Sequence, residues 1–159
     1  MKKKTRFITQ GGTVAVLYIV LTLVSNMFGL ASGAIQIRLS EALTILPLFF
    51  SASVWGLFVG CLIANLLCGS LILDVIFGAV ATLLGALGTY YFSKSKWTAP
   101  IYPILSNTLI VPLLLKYVYG ISGAIWYFAI TVFIGEIISC GILGVLLYDM
   151  LKKTKSIDK

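Results

Sequence analysis

Histidine is absent from the 159 residues of this chain, and charged side chains make up only 11% of them. Without histidine the chain lacks the usual general base, the commonest metal ligand and the usual physiological pH sensor. It also lacks a GxxxxGK[ST] segment, so it carries no phosphate-binding loop for ATP. If the chain moves a substrate uphill, the energy must therefore come from elsewhere.

Cysteine is scarce too, with three residues at Cys61, Cys68 and Cys140. All three lie in apolar stretches without paired-thiol spacing, so we expect them to be small packing residues. The carboxylates form no metal-ligand pattern, and no candidate base is paired with a nucleophile. We therefore predict no enzyme, no metal and no cofactor; a membrane enzyme with a metal at its cytoplasmic face is the alternative.

Long apolar runs are what the chain has in abundance, since 60% of its residues are hydrophobic and the mean hydropathy is +1.06. Turn-rich and charged breaks between the runs predict six helices near 11–31, 41–52, 54–70, 74–93, 100–117 and 123–150. The start resembles a signal peptide, with a basic cluster before the first run and small residues at 31–34, but the run from Gly11 to Leu30 can span a membrane by itself. We expect an all-α, multi-pass membrane domain at 11–151 between basic tails at 1–10 and 152–159.

Basic residues are distributed unevenly between the predicted loops. With six crossings and an internal N-terminus, ten of the twelve lysines and arginines fall on the cytoplasmic side, and only Arg38 and Lys116 fall outside. Cytoplasmic loops carry an excess of Lys and Arg, so this bias favours six helices with both termini in the cytoplasm of a cell-membrane protein. The net charge of +7 is then an orientation signal, and no nucleic-acid partner is expected.

Glu136 lies near the middle of an apolar stretch, Gly123 to Leu147, that is long enough to span a bilayer. A charged side chain at that depth costs about 2.5–3.5 kcal/mol on insertion scales, so Glu136 should face an internal cavity and serve a function. The outer side offers only two basic residues and none at this depth. Either a protonated carboxyl or a cationic or amide-like ligand fits such a site.

Other polar residues gather toward the outer side of the predicted membrane and, with Glu136, predict a ligand pocket with aromatic walls. The candidates are Arg38, Glu41, Asn65, Asn107, Trp126 and Tyr127. Each has a structural alternative. Arg38 can pair with Glu41 across one turn, Ser40 can cap helix two, and Glu41 and Asp74 can complement helix dipoles. The asparagines can hydrogen-bond between helices, and the aromatics can form an interfacial belt.

Small residues recur at helix-packing intervals, as in Gly11 and Ala15 on the first helix and Gly56 and Gly60 on the third. Such spacing lets helix backbones approach closely in lipid. Packing inside the bundle is the simpler interpretation of any one pair. The position of Gly11 and Ala15 at the cytoplasmic start of the first helix also makes this pair a candidate surface for docking a partner.

The segment from Ile35 to Pro47, IQIRLSEALTILP, follows a first helix that contains Ala15-Val16-Leu17-Tyr18. These residues resemble the QueT family, whose members are substrate-binding S components of energy-coupling factor (ECF) transporters and are associated with the import of queuosine precursors. The resemblance runs from about Gly12 to Leu151. Its most specific part is the Arg-Leu-Ser-Glu-Ala-Leu stretch.

The resemblance implies a six-helix bundle that captures a 7-deazaguanine such as preQ1 or queuine from outside the cell. It also implies docking of the first helix onto a membrane scaffold that works with two ATPase subunits. One of Glu41 and Glu136 would read the base and the other a charged amine, with the assignment open. The alternatives are an S component for another vitamin or nucleobase-like micronutrient, and a purely structural membrane bundle.

Overall fold

A computed structural model describes residues 2–30 and 36–157 of the chain, and within them every regular element is a helix. The all-α prediction is confirmed. The elements in chain order are α1 (Lys2–Met27), α2 (Leu39–Leu48), α3 (Ala52–Leu67), α4 (Ile72–Phe92), α5 (Ile101–Leu113 continued by Leu114–Val118) and α6 (Ile125–Glu136, Ile137–Leu143 and Gly144–Ile157).

Four of these helices, α1, α4, α5 and α6, are long and apolar enough to cross a membrane. Large apolar side chains such as Leu109, Ile130 and Leu146 are exposed on the outside of the bundle. In water these side chains would favour aggregation, whereas in a bilayer they contact lipid tails. The helices and their apolar exterior therefore agree with a membrane protein.

The helix ends differ from the predicted ones at both termini. Helix α1 begins at Lys2, not at Gly11, because residues 2–10 contain neither proline nor glycine and continue the helix without a break. Helix α6 likewise continues to Ile157, past the predicted end at 150. Met1, residues 31–35 and residues 158–159 lie outside the described residues, so the small residues at 31–34 and parts of both predicted tails are not described. The division into two tails and a membrane domain stays a prediction.

Helix α2 is short and is wound as a 3₁₀-helix of ten residues with Pro47 near its end. At about 2.0 Å per residue it is roughly 20 Å long, less than the ~30 Å of a hydrocarbon core. Helices α1 and α3 run parallel, since Gly11 lies beside Gly56 and Ala15 lies beside Gly60. Helix α2 must therefore return the chain between them, which confirms that 41–70 is not one helix.

Close contact between α1 and α3 depends on their small residues. A Cβ atom on Gly60 would lie 3.0 Å from the Cα atom of Ala15, and one on Gly56 would collide with the carbonyl oxygen of Gly11. Ala15 is only 8% exposed. The pair Gly11 and Ala15 thus contacts α3, and the docking role predicted for it stays a prediction.

Two helices contain π-helical turns beside the interior of the bundle. In α5 the π-helical residues Leu114–Val118 follow Pro112, which lacks the N–H of a normal helical hydrogen bond. In α6 the π-helical residues Ile137–Leu143 follow Glu136 directly. Single π-helical turns widen a helix locally and are frequent at functional sites.

The α1–α3 contact generates a stability prediction. Replacing Gly56 by alanine should lower the free energy of unfolding by about 1–3 kcal/mol, because the added methyl group forces the two helices apart. The measurement is the melting temperature of the detergent-solubilised protein. The control is Gly12→Ala, since a Cβ atom at Gly12 would meet nothing within 4 Å. Equal melting temperatures for the two variants would show that close α1–α3 contact does not stabilise the bundle.

Candidate functional site

A polar cavity of about 250 Å³ lies among α1, α3, α4, α5 and the segment that precedes α2. Its wall combines amide, carboxylate, guanidinium and phenol groups. Its polar lining includes Asn26, Gln36, Arg38, Asn65, Asp74 and Tyr119. We call this space the outer cavity.

A second, much smaller cavity of about 20 Å³ adjoins the first and shares Gln36, Arg38, Asp74 and Val111 with it. We call it the inner cavity. Residues of α2, α4, α5 and α6 surround it, and its further polar lining consists of Glu41, Thr82, Asn107 and Glu136. Four of the seven residues predicted to bind ligand, Arg38, Glu41, Asn107 and Glu136, therefore meet around one space.

Of the two buried glutamates, Glu41 and Glu136, Glu41 has a carboxylate oxygen without a hydrogen-bond partner in the described part of the chain. The Tyr18 hydroxyl of α1 donates a hydrogen bond to Glu41 Oε1. Glu41 Oε2 is buried and has no hydrogen-bond partner among the described residues, although the residue is only 1% exposed. A buried acceptor without a donor is costly, so this oxygen is suited to receive a donor from a ligand.

Glu136 is bonded at both of its carboxylate oxygens. Asn107 Nδ2 of α5 donates to Glu136 Oε1 at 2.9 Å, and Cys140 Sγ donates to Glu136 Oε2 at 3.1 Å. The first bond joins α5 to α6, so Asn107 makes the interhelical hydrogen bond that was one interpretation of its position. The π-helical turn of α6 carries Cys140 beside Glu136.

The segment before α2 holds Arg38 over both cavities. The backbone N–H of Arg38 donates to Ser139 Oγ at 3.2 Å. Gly135 lets this segment approach α6, because a Cβ atom there would collide with the carbonyl oxygen of Gln36. Among the side chains described, those of residues 2–30 and 36–154, the one ion pair joins Lys96 to Asp149. The pairing of Arg38 with Glu41 considered from the sequence is therefore not formed.

Two residues assigned structural roles from the sequence have other partners in the structure. Ser40 does not cap α2; Thr22 Oγ1 donates to its hydroxyl at 2.8 Å. Asp74 lies in the first turn of α4, but its Oδ2 atom accepts a hydrogen bond of 2.6 Å from the Tyr119 hydroxyl. Asp74 and Tyr119 both line the outer cavity, so this bond forms part of the wall.

Tyr119 follows α5 in the turn toward α6, outside the membrane-spanning segments. Desolvation by partial burial, together with the hydrogen bond to Asp74, raises the pKa of its hydroxyl above the usual value. Tyr119 therefore remains a hydrogen-bond donor at physiological pH. Gly120 follows with a positive φ of 63°, a conformation that glycine adopts without a steric penalty.

Of the three remaining predicted site residues, one lines a cavity and two lie outside both cavities. Asn65 of α3 is buried and lines the outer cavity. Trp126 and Tyr127, at the start of α6, are 68% and 47% exposed and line neither cavity. They do not have the geometry predicted for ring stacking, whereas an interfacial belt fits their exposure. The aromatic ring at the outer cavity is that of Tyr119.

One group of side chains could hold an ion. Ligand atoms of Glu41, Glu136 and Cys140 lie within 4.8 Å of one another, and all three residues are buried. Cys140 and Glu136 already hydrogen-bond to each other, so an ion would have to displace that bond. The donor set is incomplete for a tetrahedral metal site, which takes four ligands.

These observations define a helical membrane protein with an internal polar cavity. The chain belongs to the QueT transporter family, whose model matches residues 8–153. Membership of a transporter family favours a role in transport. The chain is also similar to a Lactococcus lactis subsp. cremoris (strain MG1363) protein called queuosine precursor transporter QueT, at 34% identity over 96 residues. That match covers 60% of this chain and 56% of the relative, so the chain spans little more than half of it. No solved structure matches significantly.

The bond between Tyr18 and Glu41 generates a second prediction. Replacing Tyr18 by phenylalanine leaves a buried carboxylate without its protein donor, so the free energy of unfolding should fall by about 1–3 kcal/mol. The control is Tyr148→Phe, because the Tyr148 hydroxyl bonds to no described residue and its ring packs against Phe49. Melting curves of the ligand-free protein measure both effects. If Tyr18→Phe and Tyr148→Phe have the same melting temperature, the bond to Glu41 contributes nothing to stability.

Proposed function

We propose that the chain is the substrate-binding S component of an ECF importer and captures a queuosine precursor from outside the cell. Membership of the QueT transporter family supports transport. The printed name of the Lactococcus lactis relative supports a queuosine precursor as the substrate. The observation that carries the proposal is the buried cavity in which Arg38, Glu41, Asn107 and Glu136 meet.

The chemistry of the two adjoining cavities together suits a 7-deazaguanine. The pyrimidine ring of such a compound presents a carbonyl acceptor beside an N–H and an exocyclic amine. Carboxylate oxygens accept from the two donors, and a guanidinium or an amide donates to the carbonyl. Asn65 and Gln36 in the outer cavity supply further amide groups for the ring edge.

The proposed orientation has six crossings and places both termini in the cytoplasm. Three contacts at one end of the bundle support it. Lys96 in the α4–α5 turn pairs with Asp149 of α6 at 2.7 Å, and Phe49 after α2 packs against Tyr148 with ring centroids 5.1 Å apart. The Gly11 region of α1 lies beside Ala52 at the start of α3. This end carries most of the basic residues, and the outer cavity lies toward the opposite end.

Energy for uptake would come from two ATPase subunits that act through a membrane scaffold, as the resemblance to S components implies, and the sequence itself contains no phosphate-binding loop. Gly11 and Ala15 pack internally, so docking through α1 would use residues that face away from α3. Gly12 and Val16 are exposed on that face.

The third prediction tests the substrate. The purified chain, without partners, should bind at least one of preQ0, preQ1, queuine and queuosine, and each ligand that binds should raise the melting temperature by mass action. Calorimetric titration supplies the Kd. Riboflavin, thiamine and biotin are the controls, and none should bind. Tight binding of a control compound with no response to any deazaguanine would reject the substrate and keep the membrane fold.

A further inference from the structure

The inner and outer cavities differ in size, and this difference limits which part of a ligand each cavity can hold. A water molecule needs at least about 10–15 Å³ of such space, so the inner cavity of about 20 Å³ holds one group the size of a water molecule. The outer cavity, at about 250 Å³, is the only one of the two with room for a planar bicyclic ring. A ligand that uses both cavities therefore has a ring with one short arm.

The charged side chains around the inner cavity indicate the chemical nature of the ligand's arm. Three carboxylates, Glu41, Asp74 and Glu136, line the inner cavity against the single guanidinium of Arg38. Ionised carboxylates away from water are expensive unless they take up protons or a positive group compensates them, and a cationic arm would supply that compensation. The three hydrogens of a primary ammonium suit several carboxylate oxygens converging on one point.

The hydrogen bonds that Glu41 and Glu136 already make indicate which of them accepts a hydrogen bond from the arm. Both oxygens of Glu136 have donors, Asn107 and Cys140. Glu41 has a donor only at Oε1, from Tyr18, and its buried Oε2 atom has none among the described residues. Of the two glutamates, Glu41 is thus the one with an oxygen atom, Oε2, at which an incoming N–H gains a bond without displacing one.

We propose that the inner cavity is an ammonium subsite in which Glu41 Oε2 accepts a hydrogen bond from a primary amine on a short arm of the ligand. Glu136, held by Asn107 and Cys140, supplies a second negative charge. The planar ring occupies the outer cavity, beside Arg38, Asn65 and Tyr119. This inference rests on the proposed function and narrows it to precursors with an aminomethyl arm.

The test compares three 7-deazaguanines that differ only in this arm: aminomethyl, its isosteric neutral hydroxymethyl counterpart, and the nitrile. Calorimetric titration of the wild-type protein should give a Kd for the aminomethyl compound about ten- to a hundredfold below those of the two neutral compounds, as expected for a charge-assisted hydrogen bond. Glu41→Gln should reduce this preference to less than about threefold, mainly by weakening the aminomethyl compound.

The control variant is Asn65→Ala, in the outer cavity, which should weaken all three compounds by a similar factor and preserve the preference. Equal affinities of the wild-type protein for the three compounds would overturn the ammonium subsite and leave the proposed function standing. This comparison needs no variant, so it holds even if Glu41→Gln does not fold. Binding of the neutral compounds that requires sodium or potassium would also overturn the proposal, because it would assign the inner cavity to an inorganic cation. No binding of any deazaguanine would instead reject the proposed function.

Discussion

Carboxylates enclosed among membrane helices are the constraint on which the rest of this structure depends. A glutamate without partners in the hydrocarbon region is unfavourable, and Glu41 and Glu136 are both almost completely buried. Hydrogen-bond donors from other helices stabilise both carboxylates: Tyr18 of α1 donates to Glu41, and Asn107 of α5 donates to Glu136. These bonds connect α1 to α2 and α5 to α6, so the same contacts that solvate the acids also hold the bundle together.

Close backbone contacts bring those donors within reach. Gly56 and Gly60 let α3 press against α1, and Gly135 admits the segment that carries Arg38 across α6. Larger residues at these positions would move Tyr18 and Arg38 away from the acids. The short 3₁₀-helix α2, which begins the return of the chain beside them, carries Glu41 into the interior. Helix packing and the polar site are therefore two aspects of one arrangement.

The sequence predicted the helices and the central acids well, because apolar runs and an isolated intramembrane charge are local signals. Glu136, Asn107, Glu41 and Arg38 were expected at one site and lie around one cavity. The sequence did not predict Tyr18 as the partner of Glu41, nor the bond of Tyr119 to Asp74, because such pairs are distant in the chain and no local pattern connects them. Trp126 and Tyr127 lie outside the cavities because their positions on α6 face outward, and helix ends alone do not reveal that direction.

The most direct test of this account is an experimental structure of the purified chain with an aminomethyl 7-deazaguanine bound. The account predicts density for the ring in the outer cavity, among Arg38, Asn65 and Tyr119, and for the amine within hydrogen-bonding distance of Glu41 Oε2. Density for the ligand outside both cavities, for example in the apolar groove between α5 and α6 beside Ile104 and Ile142, would contradict it.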